Sequence, residues 1–144
     1  STLLASSAAS DVYKRQAILF AAGSCWEGVD FPGDMVSSLI IVRLPFPVPD
    51  PLSEAEREQY PTLQDYIKTV VIPDMQVKLR QGFGRAIRTE TDTCVVSILD
   101  HRAAPGGRYH KAVLETLPPI RITSKIEDVE DFIRAKKGPD YFMP

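Results

Sequence analysis

Gln81-Gly82-Phe83-Gly84-Arg85-Ala86-Ile87-Arg88 sets a glutamine and two arginines at relative positions 0, +4 and +7, which on a helix form one polar stripe suited to facing an anion. Leu79, Phe83 and Ile87 form an offset apolar stripe that can bury against a core and fix the backbone from which the arginines project. Gly82 and Gly84 each cost a helix about 1 kcal/mol relative to alanine, so two in three residues predict that another backbone or a ligand comes close. Two surface arginines on an ordinary helix would account for an isolated Arg-x-x-Arg. The glutamine, the glycines and the apolar counter-stripe favour function.

Working outward, Pro73 to Ile87 reads as a helix with Pro73 in its first turn and Asp74 at its positive end, preceded by a separate helix over Thr62 to Val71. Ala17 to Ala21, Ser38 to Val42 and Asp92 to Leu99 are apolar runs that read as buried strands, the last apolar on both faces like a parallel strand covered on two sides. The order strand, strand, helix, helix, strand, helix predicts an α/β layer with crossover helices. Leu44 to Pro51 carries proline at alternate positions, which predicts an extended polyproline-like loop. Gly107 to Leu117 has helical spacing in Tyr109, Val113, Leu114 and Leu117. Ile120 to Ile122 reads as a short edge strand. Ser124-Lys125-Ile126-Glu127 has the pattern of a capping box, opening a helix with Val129, Phe132 and Ile133 on one face and Gly138-Pro139 at its end.

The 144 residues suit one domain with a real core, 44% of them being hydrophobic. A net charge of −2 leaves no global basic field, so nucleic-acid binding has to rest on a local surface. Cys25 and Cys94 form no Cys-x-x-Cys pair, which argues against zinc, allows at most one disulfide and fits a reducing cytoplasm. No apolar run reaches the roughly 18 to 20 residues of a membrane span, and Ser1 to Gln16 lacks the pattern of a secretory signal. That segment has no sustained period and reads as a disordered or non-native flank. With no initiating methionine, the expectation is a truncated frame: flank 1–16, domain 17–137, tail 138–144.

A second constellation, Gly23-Ser24-Cys25-Trp26-Glu27-Gly28-Val29-Asp30-Phe31-Pro32-Gly33, follows the first expected strand, where open α/β sheets bind ligands. Gly23 and Gly28 permit close backbone approach, Asp30 can accept from a ribose hydroxyl, and Trp26 can stack on a base. Trp26 as a core aromatic, Asp30 as a turn residue and Glu27 as a loop-positioning acid are the competing structural readings.

These pieces resemble the second motor domain of superfamily 2 helicases, in particular the XPD/DinG-type DNA helicases. Gly23 to Gly33 looks like their motif V, and Gln81 to Arg88 matches the motif VI pattern Q-x-x-G-R-x-x-R. Between them Leu44-Pro45-Phe46 with Pro49-Asp50-Pro51 looks like the family's proline-rich connector, and beyond them Leu99-Asp100-His101-Arg102 and Leu117-Pro118 are similar to its closing segments, in consistent order from Ala17 to Pro119. The resemblance implies a RecA-like parallel sheet flanked by helices. It implies that Arg88 is an arginine finger to the γ-phosphate of ATP, with Arg85 on the phosphates and Gln81 orienting the cluster. Gly84, Gly28 and Asp30 would border the nucleotide, and Gly23, Ser24, Trp26 and Glu27 would lie near single-stranded DNA. For Arg102 a salt bridge with Asp100 or another carboxylate is the preferred reading. The chain has neither a Gly-x-x-x-x-Gly-Lys-[Ser/Thr] loop nor an Asp-Glu-Ala-His-like segment, so ATP and Mg2+ would be held mainly by a first motor domain, as would any iron–sulfur cluster. A non-catalytic RecA-like module and half of an RNA helicase are the rival expectations.

Overall fold

Leu39, Ile40 and Ile41 are the kind of apolar residues that favour a pleated strand, and the computed structural model, which describes residues 36–87, 89 and 91–139, has a strand at this point. This strand, β1 (Ser38–Ile41), pairs in parallel with β2 (Val95–Ile98), in a register that sets Ser38 opposite Val95 and Ile41 opposite Ile98. Hydrogen bonds from Val95 N–H to Ser37 O (3.0 Å) and from Leu99 N–H to Ile41 O (2.9 Å) extend the ladder. Parallel strands need a long crossover, and the intervening chain supplies it with helices. The described residues thus form a mixed α/β layer around a small parallel sheet, as expected in outline. The expected strand over Ala17 to Ala21 lies outside them.

Both strands are less covered than their apolar runs suggest. Ile41 is buried, whereas Ile40, Val42 and Leu99 are more than half exposed. Strand β2 is half-buried along its length and shorter than the Asp92 to Leu99 run.

Helix α1 (Pro51–Arg57) was not anticipated, because alternate prolines obscure it. Its start is nonetheless written in the sequence. Asp50 is the N-cap, accepting from Ser53 N–H (2.7 Å) while the Ser53 hydroxyl accepts from Asp50 N–H (2.9 Å), and Pro51 fills the first helical position. These bonds from Ser53 hold the Asp50 carboxyl below its ordinary range. No residue of α1 is buried.

The two helices expected on either side of Val71 are one uninterrupted run. Helix α2 (Leu63–Tyr66), capped by Thr62, passes through a π turn (Ile67–Val71) into α3 (Ile72–Ala86) without leaving helical backbone angles. Proline inside a helix removes a donor and crowds the carbonyl of the preceding turn. Here the wider π turn immediately before Pro73, closed by Ile72 N–H on Ile67 O, takes up that defect. Pro73 therefore does not mark a fresh start. Helix α3 buries Met75, Leu79, Gly82, Phe83 and Ala86, a spacing that keeps one face turned inward. Met75 and Leu79 are wholly buried, worth about 1.5 to 3 kcal/mol each.

Helix α4 (His110–Thr116) begins later than Gly107, buries Val113 and Thr116, and leaves Leu114 on its outer side. Gln76 Nε2 donates to Ala112 O at 2.9 Å and so ties α3 to α4. Ile120 to Ile122 forms no strand, and Ile120 and Ile122 are exposed.

Residues from Thr123 onward fall in a second compact unit. Its described helix, α5 (Ile126–Lys136), has Val129, Phe132 and Ile133 half-buried on one side. The capping box expected from Ser124 does not form. Lys125 is the N-cap and has no side-chain cap bond, while Thr123, one residue earlier than Ser124, accepts from Lys125 N–H (3.1 Å) and donates to the Asp128 carboxylate (2.5 Å). The methyl-bearing hydroxyl upstream has taken the local polar role.

Candidate functional site

The inner face of α3 is clamped by Met75, Leu79, Phe83 and Ala86, so its opposite face is held in a fixed orientation. On that face Gln81 and Gly84 are exposed and Arg85 is half-buried. The two glycines differ. Gly82 is buried within the domain, whereas a Cβ placed on Gly84 would meet nothing within 4 Å. The fold of this domain therefore makes no demand for glycine at position 84.

The expected stripe does not run through to Arg88 in helical form. Helix α3 stops at Ala86, and Ile87 is extended at φ −133° and ψ 111°, with its N–H still on Phe83 O at 3.1 Å. Helical spacing brings Gln81 and Arg85 together and ends there; Arg88 itself lies outside the described residues, as do Gly23, Ser24, Trp26, Glu27, Gly28 and Asp30. Just past Arg88, a turn that sequence reasoning missed is closed on itself. Thr89 N–H and Thr89 Oγ1 both donate to the Asp92 carboxylate (2.9 and 2.8 Å), and Asp92 N–H returns to Thr89 O at 3.2 Å. The signal was the Thr-x-x-Asp spacing, a common side-chain-to-backbone turn pattern.

The second polar feature lies at the carboxyl ends of β1 and β2. Asp100 is 7% exposed and accepts from Leu44 N–H (3.0 Å) and Arg102 N–H (3.0 Å), as well as from the Arg102 guanidinium through Nε (2.9 Å) and Nη2 (2.7 Å). The expected Asp100–Arg102 salt bridge is present, and the reach to Leu44 is additional. The Arg102 hydrogen bonds, reinforced by the Leu44 and Arg102 N–H groups, outweigh burial and hold the Asp100 carboxyl far below the ordinary carboxylate range. The Arg102 guanidinium carbon lies 4.9 Å from the Phe46 ring centre and 5.8 Å from that of Tyr109, the two rings being 4.8 Å apart. Behind it the chain doubles back at Gly107, where an added Cβ would sit 2.5 Å from Arg102 O, so only glycine fits. Cys94 is half-buried, its Sγ donating to Val95 O at 3.5 Å. Among the described residues no group of three His, Cys, Asp or Glu could hold a metal, and no helix is long and apolar enough to cross a membrane.

Helix α3, anchored by its inner face, thus offers Gln81, Gly84 and Arg85 outward from a layer built on two parallel strands. A family model described as the helicase C-terminal domain matches residues 5–120, and the chain belongs to that family. It is similar to the ATP-dependent DNA helicase DinG of Photobacterium profundum, at 40% identity over 74% of this chain and 16% of that protein. It is also similar to the ATP-dependent DNA helicase YoaA of Escherichia coli, at 40% identity over 81% of this chain and 19% of that protein. A third relative, the 3'-5' exonuclease DinG of Bacillus subtilis, is 37% identical over 85% of this chain and 13% of its own length. The chain thus spans less than a fifth of each of these three relatives.

Proposed function

We propose that this chain is the RecA-like second motor domain of an ATP-dependent DNA helicase, contributing cationic residues to ATP bound mainly by a first motor domain. The observation that carries the proposal is the anchored α3 with Gln81, Gly84 and Arg85 on its outward face, in a chain of the helicase C-terminal domain family. Phosphoryl transfer spreads negative charge over oxygens, and planar guanidinium groups stabilise that charge through preorganised paired donors. Arg88 is assigned the finger role, Arg85 the phosphate contact and Gln81 the orienting bonds. Gly28 and Asp30 are assigned to the nucleotide side of the cleft, and Gly23, Ser24, Trp26 and Glu27 to single-stranded DNA. ATP with Mg2+ supplies the transferable phosphoryl group, and the described residues add only positive charge and hydrogen-bond donors to it.

Two outcomes test the assignment. This chain alone hydrolyses no ATP, because the phosphate-cradling loop and the magnesium carboxylates are not in its sequence; clear DNA-stimulated phosphate release by the purified chain would overturn it. The second outcome uses the open space around Gly84. If another domain closes against that face, Gly84→Ala stabilises this chain by up to about 1 kcal/mol, since it relieves a helix glycine without a clash. In the full-length protein the same methyl overpacks the closed interface by about 1 to 3 kcal/mol, and DNA-stimulated turnover falls about tenfold or more. Turnover unchanged alongside the gain in stability would remove Gly84 from the site.

A further inference from the structure

The turn from Thr89 to Asp92 contributes nothing to the buried core, yet it stands directly after the residue assigned the finger role. Arg88 lies outside the described residues, and both its neighbours in the chain are held. On one side Ile87 closes α3 through its N–H on Phe83 O at 3.1 Å. On the other, the Asp92 carboxylate accepts from Thr89 N–H through Oδ2 (2.9 Å) and from the Thr89 hydroxyl through Oδ1 (2.8 Å). A hydroxyl has one proton to give, and that of Thr89 goes to Asp92, so the Thr91 hydroxyl, 2.9 Å away, donates to Thr89 Oγ1. Thr89 and Thr91 are exposed and Asp92 is half-buried, so these bonds compete with water and add little to folding stability. The stretch 87–94 between α3 and β2 is also longer than the roughly 2 to 6 residues of an ordinary helix-to-strand loop.

We infer that Asp92, through its bonds to Thr89, is a positioning residue for Arg88, fixing the backbone from which the finger projects toward the nucleotide phosphates. The Thr89 N–H belongs to the planar peptide unit that joins residue 88 to residue 89. A carboxylate that accepts from this N–H, and is itself tied to the neighbouring hydroxyl, sets the direction of that plane. Transition-state stabilisation depends on donors already in place. A displacement of about 1 Å caused by a change away from the chemistry can lower a rate about 10²-fold. The inference rests on the finger role proposed for Arg88 and adds to it the group that holds that role in register.

The test is steady-state ATP hydrolysis by the full-length protein with saturating oligo-dT. Asp92→Ala lowers kcat by about 10- to 100-fold and leaves KM for ATP little changed, as expected of a group that serves the transition state. Asp92→Asn keeps an acceptor for Thr89 N–H and removes the charge, and it restores most of the rate. A loss with asparagine as large as with alanine would make Asp92 a counter-charge and overturn the inference. A lowered melting temperature, with kcat and KM altered together, would make the turn merely structural and overturn it as well. In an Arg88→Ala background Asp92→Ala costs nothing further, because a residue acting only through Arg88 then has nothing to position; an undiminished further loss counts against the inference. Wild-type rates in Asp92→Ala beside a severe Arg88→Ala sink the positioning role and leave the finger standing. Normal turnover in Arg88→Ala removes the finger and the inference together.

Discussion

If Arg88 has the finger role proposed for it, Arg88→Ala in the full-length protein lowers DNA-stimulated ATP hydrolysis by on the order of 10³-fold or more, with nucleotide affinity changed far less. A finger acts on the charge that develops in the transition state, so its removal shows in kcat and much less in ground-state binding. Lysine at this position restores little, because it keeps the charge but loses the two-donor fork. If Arg85 serves the same constellation, Arg85→Ala is also severe, and the double variant costs little beyond the worse single one. Steady-state rates at saturating ATP and DNA, with folding checked by circular dichroism, decide the matter. Normal turnover in the Arg88→Ala enzyme would remove the motif VI assignment altogether.

Arg102→Ala carries the largest expected loss of stability. The substitution removes the guanidinium bonds to a carboxylate that is only 7% exposed, together with the stacking over Phe46 and Tyr109. Stranding a buried charge costs about 3 to 5 kcal/mol. The Arg102 side chain is 37% exposed, so solvent already screens part of the attraction, and about 2 to 3 kcal/mol is expected. The pH dependence separates charge from packing. Asp100 has a folded-state pKa below its unfolded value, so its contribution is fully present above the ordinary carboxylate range near pH 4 and is lost as pH falls from there through the depressed folded value. Urea unfolding of this chain should therefore show the gap between wild type and Arg102→Ala narrowing below about pH 4. A gap that stays constant into acid would assign the loss to packing.

Helix α3 was legible because Leu79 and Phe83, two of the three residues read as its apolar stripe, are buried at helical spacing, while the third, Ile87, lies past its end and Met75 and Ala86 complete the inner face. Its continuity with α2 was not, because Pro73 in a linear sequence reads as a boundary, and only the π turn before it shows how the run accommodates a missing donor. Helix α1 left no periodic trace since none of its residues is buried; its cap, Asp50-Pro51-x-Ser53, was the sole local signal. The Asp100–Arg102 pair could be anticipated from two neighbours of opposite charge. The bond to Leu44 could not, because it depends on a sheet register between segments distant in the chain. Of the candidate site, Gln81, Gly84 and Arg85 can be placed. The helix end at Ala86 was hidden because Ile87 is as apolar as the helical positions before it.

The Leu44–Asp100 bond joins residues 56 positions apart. Closing a flexible loop of that length costs about 3.6 kcal/mol beyond a constant, yet ten further residues inside it would add only about 0.15 kcal/mol. The latch therefore forms only when enough of the sheet and α3 is in place to outweigh a lost freedom that hardly depends on the length of the excursion. The stretch bearing α1, which buries nothing, is accordingly where the chain can lengthen or shorten at almost no thermodynamic cost, while the junction on either side of it stays closed.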